Sequence, residues 1–138
     1  MILAHPKTEL REAWVDWISE KKWDYFLTVT FRRPRVDTIA CSRDVATTLD
    51  LTFESRALLM VEPHSSGFPH VHGLVRHDPF MRPTPTPWEL WERFYTLYGR
   101  SKVEDVKHNY EVSKYLVKYI TKDLTDWQIY GTPRAWRI

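Results

Sequence analysis

Arg56-Ala57-Leu58-Leu59-Met60-Val61-Glu62 and, after Pro63 to Pro69, His70-Val71-His72-Gly73-Leu74-Val75-Arg76 are the two runs on which the fold turns. Both have strand length and strand composition. The segment between them holds Ser65, Ser66 and Gly67 with a proline at each end, which is turn chemistry. The two strands are therefore expected to pair antiparallel, bringing Glu62 at the end of one across a short loop from His70 at the start of the other. Side chains alternate along a strand, so His70 and His72 project from one face and Val71 from the other.

Outward from this hairpin, Asp24 to Phe31 (Asp-Tyr-Phe-Leu-Thr-Val-Thr-Phe) predicts a buried strand ended by Arg32-Arg33-Pro34-Arg35. Lys102 to Lys107 predicts a fourth. A helix is predicted over Thr8 to Ser19, where Leu10, Trp14, Trp17 and Ile18 make an apolar stripe. Others are predicted over Asp37 to about Thr52, opening on a capping Asp or Thr, over Trp88 to Tyr98, between Pro87 and Gly99, and over Val112 to Lys122. His77 to Pro87 reads as a surface loop and the last dozen residues as a loosely packed tail. This order of elements predicts an α+β fold, a central antiparallel sheet with helices packed on it, of ferredoxin-like or related layering. No repeat, low-complexity tract or linker divides the chain, so residues 1–138 are expected to form a single domain.

The composition sets limits on function. With 43% hydrophobic and 28% charged residues the chain can build one core. Seven Trp and seven Tyr are more large rings than so small a domain hides, so some must face solvent. Exposed aromatics beside basic residues are one way to stack unpaired bases. A net charge of +2 points only weakly to a polyanionic partner. Cys41 is the only cysteine, which excludes an intrachain disulfide and a cysteine-based zinc site. None of the four glycines opens a phosphate-binding loop, so any helicase step is expected to act in trans or from a further domain. No run approaches the roughly 18 apolar residues of a membrane span, and Met1-Ile2-Leu3-Ala4-His5-Pro6 lacks a signal-peptide core. The expected location is cytoplasmic, with no membrane partner.

Two imidazoles on one strand face can bind one divalent cation together. Six histidines in this chain give a chance His-x-His in about one sequence in five, so the pair counts only with its context. That context is a predicted central strand, with Pro69 before the pair, Gly73 after it and Glu62 as a third donor next door. His64 is a weaker substitute. Two imidazoles and a carboxylate leave positions open for water and a phosphate oxygen. The plainer alternative is an exposed histidine pair and an ordinary strand-end glutamate.

In the last predicted helix Tyr115 and Tyr119 stand at i and i+4 and share a face. Lys118 and Lys122 follow them at i+3, so two Tyr-x-x-Lys frames overlap. Leu116, Val117 and Ile120 make the face that can pack on a sheet. A phenol of pKa about 10 is a poor nucleophile at neutral pH. A polarised phosphate and a nearby ammonium offset that. Taken alone, the helix reads rather as one carrying two partly buried tyrosines and solvated lysines.

In combination these motifs resemble the HUH endonuclease superfamily, specifically the rolling-circle replication initiators. Three family motifs occur in the expected order: Phe26-Leu27-Thr28-Val29-Thr30-Phe31, then Pro69-His70-Val71-His72-Gly73 preceded by Glu62, then Tyr115-Leu116-Val117-Lys118. The resemblance covers about residues 24 to 122. It implies an antiparallel sheet with a metal site at its centre and the tyrosine helix beside it. It also implies that Mg2+ or Mn2+, held by His70, His72 and Glu62, polarises a scissile phosphate of single-stranded or hairpin origin DNA. Tyr115 then attacks, leaving a free 3′-OH and a 5′-phosphotyrosine, while Lys118 positions the phosphate or the metal. The bond energy kept in that link lets the reverse step rejoin DNA without ATP. Tyr115-x-x-Lys118-Tyr119 is further similar to the two-tyrosine initiators of single-stranded DNA phages. By that match Tyr119 is a second nucleophile, with Lys122 echoing Lys118. Such phage initiators are usually much longer, and in small single-tyrosine initiators Tyr119 would be a packing or substrate-contact residue.

Arg32, Arg33 and Arg35 form a basic cluster suited to DNA phosphates, or else a solvated loop. Trp23, Tyr25 and the Trp88–Trp91 region are candidates for base stacking, with core packing favoured for each. Two other readings stay open. A single-tyrosine HUH transposase, a dimer of similar length, typically has Gln four residues beyond the tyrosine, where this chain has Tyr119. A non-catalytic single-stranded nucleic-acid-binding module would account for the aromatics and arginines, but not for Glu62, His70, His72 and Tyr115 together. The origin sequence, the host and the oligomeric state, a dimer included, are left open by the sequence.

Overall fold

The computed structural model describes residues 6–63, 66–80, 84–120 and 126–137; the side chains of residues 6–8, 119 and 120 lie outside that description. In chain order the elements are α1 (Pro6–Ser19), β1 (Tyr25–Thr30), α2 (Thr38–Leu49), β2 (Arg56–Glu62), β3 (His70–Arg76), α3 (Pro87–Leu97), β4 (Ser101–Asp105), α4 (Asn109–Ile120), β5 (Asp126–Gly131) and α5 (Pro133–Arg137). The strands form one antiparallel sheet of order β4-β1-β3-β2-β5, so the hairpin strand carrying His70 and His72 is the central one. Its register sets Glu62 opposite His70 on one side, and Thr30 opposite His70 and Thr28 opposite His72 on the other.

Local chemistry explains the helix starts. Asp37 caps α2, its carboxylate accepting from the Ala40 N–H at 3.0 Å. α2 ends where Asp50 turns into the left-handed region at φ 54°. Thr86 caps α3 through the Glu89 N–H at 3.2 Å, with Pro87 at the first helical position.

The sheet alternates cleanly between two cores. Tyr25, Leu27 and Val29 of β1, Ala57, Leu59 and Val61 of β2, and Val71 and Val75 of β3 face α2 and α3. Leu58, Met60 and Leu74 face the other way, against Val15 and Ile18 of α1 and Leu116 and Val117 of α4. Helices therefore cover both faces of the sheet. Each fully buried aliphatic side chain is worth roughly 1.5–3 kcal/mol, so these two layers dominate stability. Gly73 lies at the tightest approach between strands. A Cβ there would stand 2.4 Å from Leu59 Cδ2 and 2.9 Å from the Leu58 carbonyl oxygen.

Four expectations need correction. The C-terminal residues are not a loose tail: β5 pairs with β2, from Asp126 opposite Val61 to Gly131 opposite Arg56, and α5 follows it. α5 lies over Arg56, which is fully buried and donates to the carbonyls of Ala135 (2.7 Å) and Lys22 (2.6 Å). Burial, helped by repulsion from Arg76, pushes the Arg56 guanidinium down to about 10. α1 buries Val15 and Ile18, whereas Leu10 and Trp17 of the expected stripe are exposed. α4 begins at Asn109, three residues before the expected start, where the Asn109 amide donates to the Lys21 carbonyl at 2.8 Å. Among the stacking candidates Trp23 and Tyr25 are core, but Trp88 is not.

Candidate active site

His70 and His72 sit on the α1/α4 side of β3, at the end of the sheet where the hairpin turns. β1 fixes both rings. Thr30 Oγ1 lies 3.0 Å from His70 Nδ1, and Thr28 Oγ1 lies 3.3 Å from His72 Nδ1. With the ring proton on Nδ1 donated to the threonine hydroxyl, the lone pair is left on Nε2. That is the tautomer a metal ligand needs. The rings are nearly parallel, 9° apart, with centroids separated by 6.3 Å, the ordinary spacing of i and i+2 on a strand.

Glu62 closes the set from β2. Its Oε2 stands 3.9 Å from His72 Nε2, beyond hydrogen-bond distance, and is buried without a hydrogen-bond partner. In that tautomer two acceptors face each other, the carboxylate oxygen buried. Glu62 and His72 offer a carboxylate oxygen and an imidazole nitrogen, donor types that would suit Mg2+ or Mn2+. His70, opposite Glu62 in the register, would be the third donor. Among the described residues, no three His, Cys, Asp or Glu side chains are already drawn up around one point.

α4 brings the tyrosine to the same face. Leu116 and Val117 are buried against the sheet, as the helical spacing predicts, and this turns Tyr115 toward β1. Its ring meets Phe26 edge-on, with centroids 5.6 Å apart. Lys118 Nζ lies 4.2 Å from the Tyr115 ring centre. Tyr115 is 43% exposed and shares with His72, Thr28 and Thr30 an open groove of about 700 Å³. The phenol, the metal-competent imidazole and both ring-holding threonines therefore line one space. Tyr119 has its backbone in α4, but its side chain lies outside the described residues, as do Lys122 and His64.

The arginine cluster is divided. Its backbone lies beside the hairpin loop, with Arg35 N donating to the Gly67 carbonyl at 2.9 Å. Arg35 is committed to an ion pair with Asp44 of α2 at 2.6 Å and lies over the Phe31 ring. Arg32 donates to the Tyr95 carbonyl at the end of α3. Arg33 is exposed. The basic residues lining the tyrosine groove are Arg100 and Lys102, beside Glu104 and Glu111. Neither residue stands in a motif of the sequence. Their signal was the alternation Arg100-Ser101-Lys102, which puts both cations on one face of a strand. Lys102 also pairs with Glu104 at 3.2 Å.

Compared with known proteins, the chain matches no protein-family model and no curated protein. No described helix is long and apolar enough to cross a membrane.

Proposed function

We propose that this chain is a metal-dependent endonuclease of the HUH kind, a cytoplasmic replication initiator that nicks and rejoins single-stranded or hairpin DNA. The observation that carries the reading is the groove shared by Tyr115 and His72, with Glu62 facing His72 from the adjoining strand. Glu62, His72 and His70 would hold Mg2+ or Mn2+, which when bound supplies Lewis-acid polarisation of a phosphate oxygen. A ring proton on Nδ1 donated to each threonine hydroxyl would leave Nε2 free for the metal. Tyr115 Oη forms the new bond to phosphorus, the phosphorus–O3′ bond breaks, and the phenol proton passes to the departing 3′ oxygen. The product is a 5′-phosphotyrosine and a 3′-OH, and the reverse displacement rejoins the strand. Lys118, beside the Tyr115 ring, stabilises the phenolate and the charge that develops on the phosphate. Arg100 and Lys102 offer cations to the DNA backbone along the same groove.

The test is incubation with a labelled hairpin oligonucleotide and Mn2+. A covalent protein–DNA adduct is expected, resistant to denaturation and absent in Tyr115→Phe. Adduct formation by Tyr115→Phe at the wild-type level would move the nucleophile elsewhere. Binding without any adduct, across metals and sequences, would overturn the nuclease reading.

A further inference from the structure

The outer side of α3 carries an aromatic array that the nicking chemistry does not use. Trp88, Trp91 and Tyr95 stand at i, i+3 and i+7, and their rings stack in series. Trp88 lies on Trp91 with centroids 4.9 Å apart and 22° between planes, and Trp91 on Tyr95 at 5.1 Å and 16°. The guanidinium of Arg32 closes the series, 5.5 Å from the Tyr95 ring centre. This stripe is not core. Trp88 is 66% exposed and Tyr95 51%, while α3 packs inward through Leu90 and Phe94. Trp91 Nε1 donates to the Ser101 carbonyl at 3.0 Å, which fixes the middle ring against the edge strand β4.

Cations gather at the Tyr95 end. Arg32 N donates to the Tyr98 carbonyl and Thr30 N to the Arg100 carbonyl, at 2.8 Å each, which sets Arg32, its neighbour Arg33 and Arg100 close along the backbone where α3 runs into β4. None of the three is in an ion pair among the described residues. Arg100 and Ser101 also line the groove of Tyr115 and His72, and the Ser101 carbonyl holds Trp91, so β4 is the edge between the groove and the array.

We infer that this array is a stacking platform for single-stranded DNA, which receives the bases of the strand as it leaves the groove past Arg100. The location deepens the nuclease reading and rests on it for the strand's path. The ligand class comes from the array itself. The exposed Trp88 ring at the end of a series held nearly parallel matches a nucleobase, which stacks on an aromatic face whatever its sequence. The guanidiniums select a polyanion. Glu89 and Glu92 lie on the same helix and repel phosphates, so the backbone tracks the arginine end while the bases meet the rings.

The test measures binding without chemistry. Wild-type protein in EDTA is titrated with a fluorescein-labelled oligothymidylate of about twenty nucleotides, and anisotropy and tryptophan quenching are followed. The double variant Trp88→Ala/Tyr95→Ala is expected to bind about tenfold or more weakly and to lose most of the quenching. Trp88→Phe/Tyr95→Phe keeps the rings and is expected to stay within about threefold of wild type. Equal affinity of the alanine variant and wild type would overturn the proposal. So would equal losses in the alanine and phenylalanine variants, equal binding of the matching duplex, or wild-type self-association abolished by the alanine pair. The adduct assay on wild-type protein reports separately on the nuclease reading, so failure of one is not confused with failure of the other.

Discussion

Replacing Thr28 and Thr30 by Val removes two hydroxyls and leaves the side-chain shape and the strand propensity of β1 nearly unchanged. Each hydroxyl holds one Nδ1, at 3.3 Å for His72 and 3.0 Å for His70. A neutral hydrogen bond of this kind contributes about 0.5–1.5 kcal/mol net. At about 1.4 kcal/mol per tenfold, that is roughly a two- to twelvefold loss of metal affinity for each variant. Thr30→Val breaks the shorter bond. Thr28→Val frees the ring that already faces Glu62. The double variant is therefore expected to lose about ten- to a hundredfold, the usual range for groups that orient a metal ligand from behind. The assay is Mn2+ binding to the DNA-free protein, read from the electron paramagnetic resonance signal of free Mn2+. Thr28→Ser and Thr30→Ser, which keep the hydroxyl, should retain most of the affinity, and urea unfolding of the metal-free protein should move little. A double valine variant that binds Mn2+ within about twofold of wild type would show that the threonines do not hold the rings as ligands.

Two further outcomes follow from packing and burial. Gly73→Ala drives a methyl to 2.4 Å from Leu59 Cδ2 and 2.9 Å from the Leu58 carbonyl oxygen, on the central strand, so urea unfolding should show a loss of about 1–3 kcal/mol; a loss under about 0.5 kcal/mol would mean that β3 shifts freely. Burial pushes the His77 imidazole below its ordinary value of 6.5, with Asp24 and Asp50 pulling it back and Arg93 adding to the lowering. As pH falls through 6.5 the unfolded chain takes a proton that the fold refuses, so stability drops below 6.5 and levels off under the depressed folded value. His77→Phe removes two buried, unbonded ring nitrogens and should lose less stability than wild type between about pH 8 and pH 5, measured as Tm; parallel pH curves for the two proteins would refute it.

The parts of this fold legible in the sequence were those decided by neighbours along the chain. The β2–β3 hairpin is one: two apolar runs and a turn-forming segment suffice, and the pairing of Glu62 with His70 follows. The capping of α2 by Asp37 is another. What escaped was decided by distant partners. Trp127-Gln128-Ile129-Tyr130 has strand composition, but it becomes a strand because Trp127 meets Trp14 of α1 and the Tyr130 hydroxyl lies 2.7 Å from Ser42 Oγ of α2. α3 offers two apolar stripes at helical spacing, Leu90 with Phe94 and Trp88 with Trp91 and Tyr95. Periodicity ranks them equally, and only the sheet selects the first. The same holds for the candidate site. His70, His72, Glu62 and Tyr115 could be named from spacing, whereas Arg100 and Lys102 enter only because β4 pairs with β1 beside the groove.

The two faces of the sheet differ at the hairpin end, and the difference bears on function more than any single motif. On the α2/α3 side the apolar layer runs to the end: Val29, Val61 and Val71 are all buried there. On the α1/α4 side the apolar layer stops at Met60 and Leu74, and the next positions on three adjoining strands are Thr28 and Thr30, His70 and His72, and Glu62. Stability alone would replace them with aliphatic residues, since a partly buried carboxylate oxygen without a hydrogen-bond partner costs free energy. Under the proposed function a cation held by these residues would offset that cost, and the threonine hydroxyls hold the imidazole rings from the strand behind. The Tyr115 ring, held on Phe26, lines the same groove as His72, Thr28 and Thr30, so under the proposed function it would face a phosphate bound there. At this end of the sheet the polar patch lies near α4, which presents Tyr115 and Lys118 together, and under the proposed function these are the groups that phosphoryl transfer to a phenol would use.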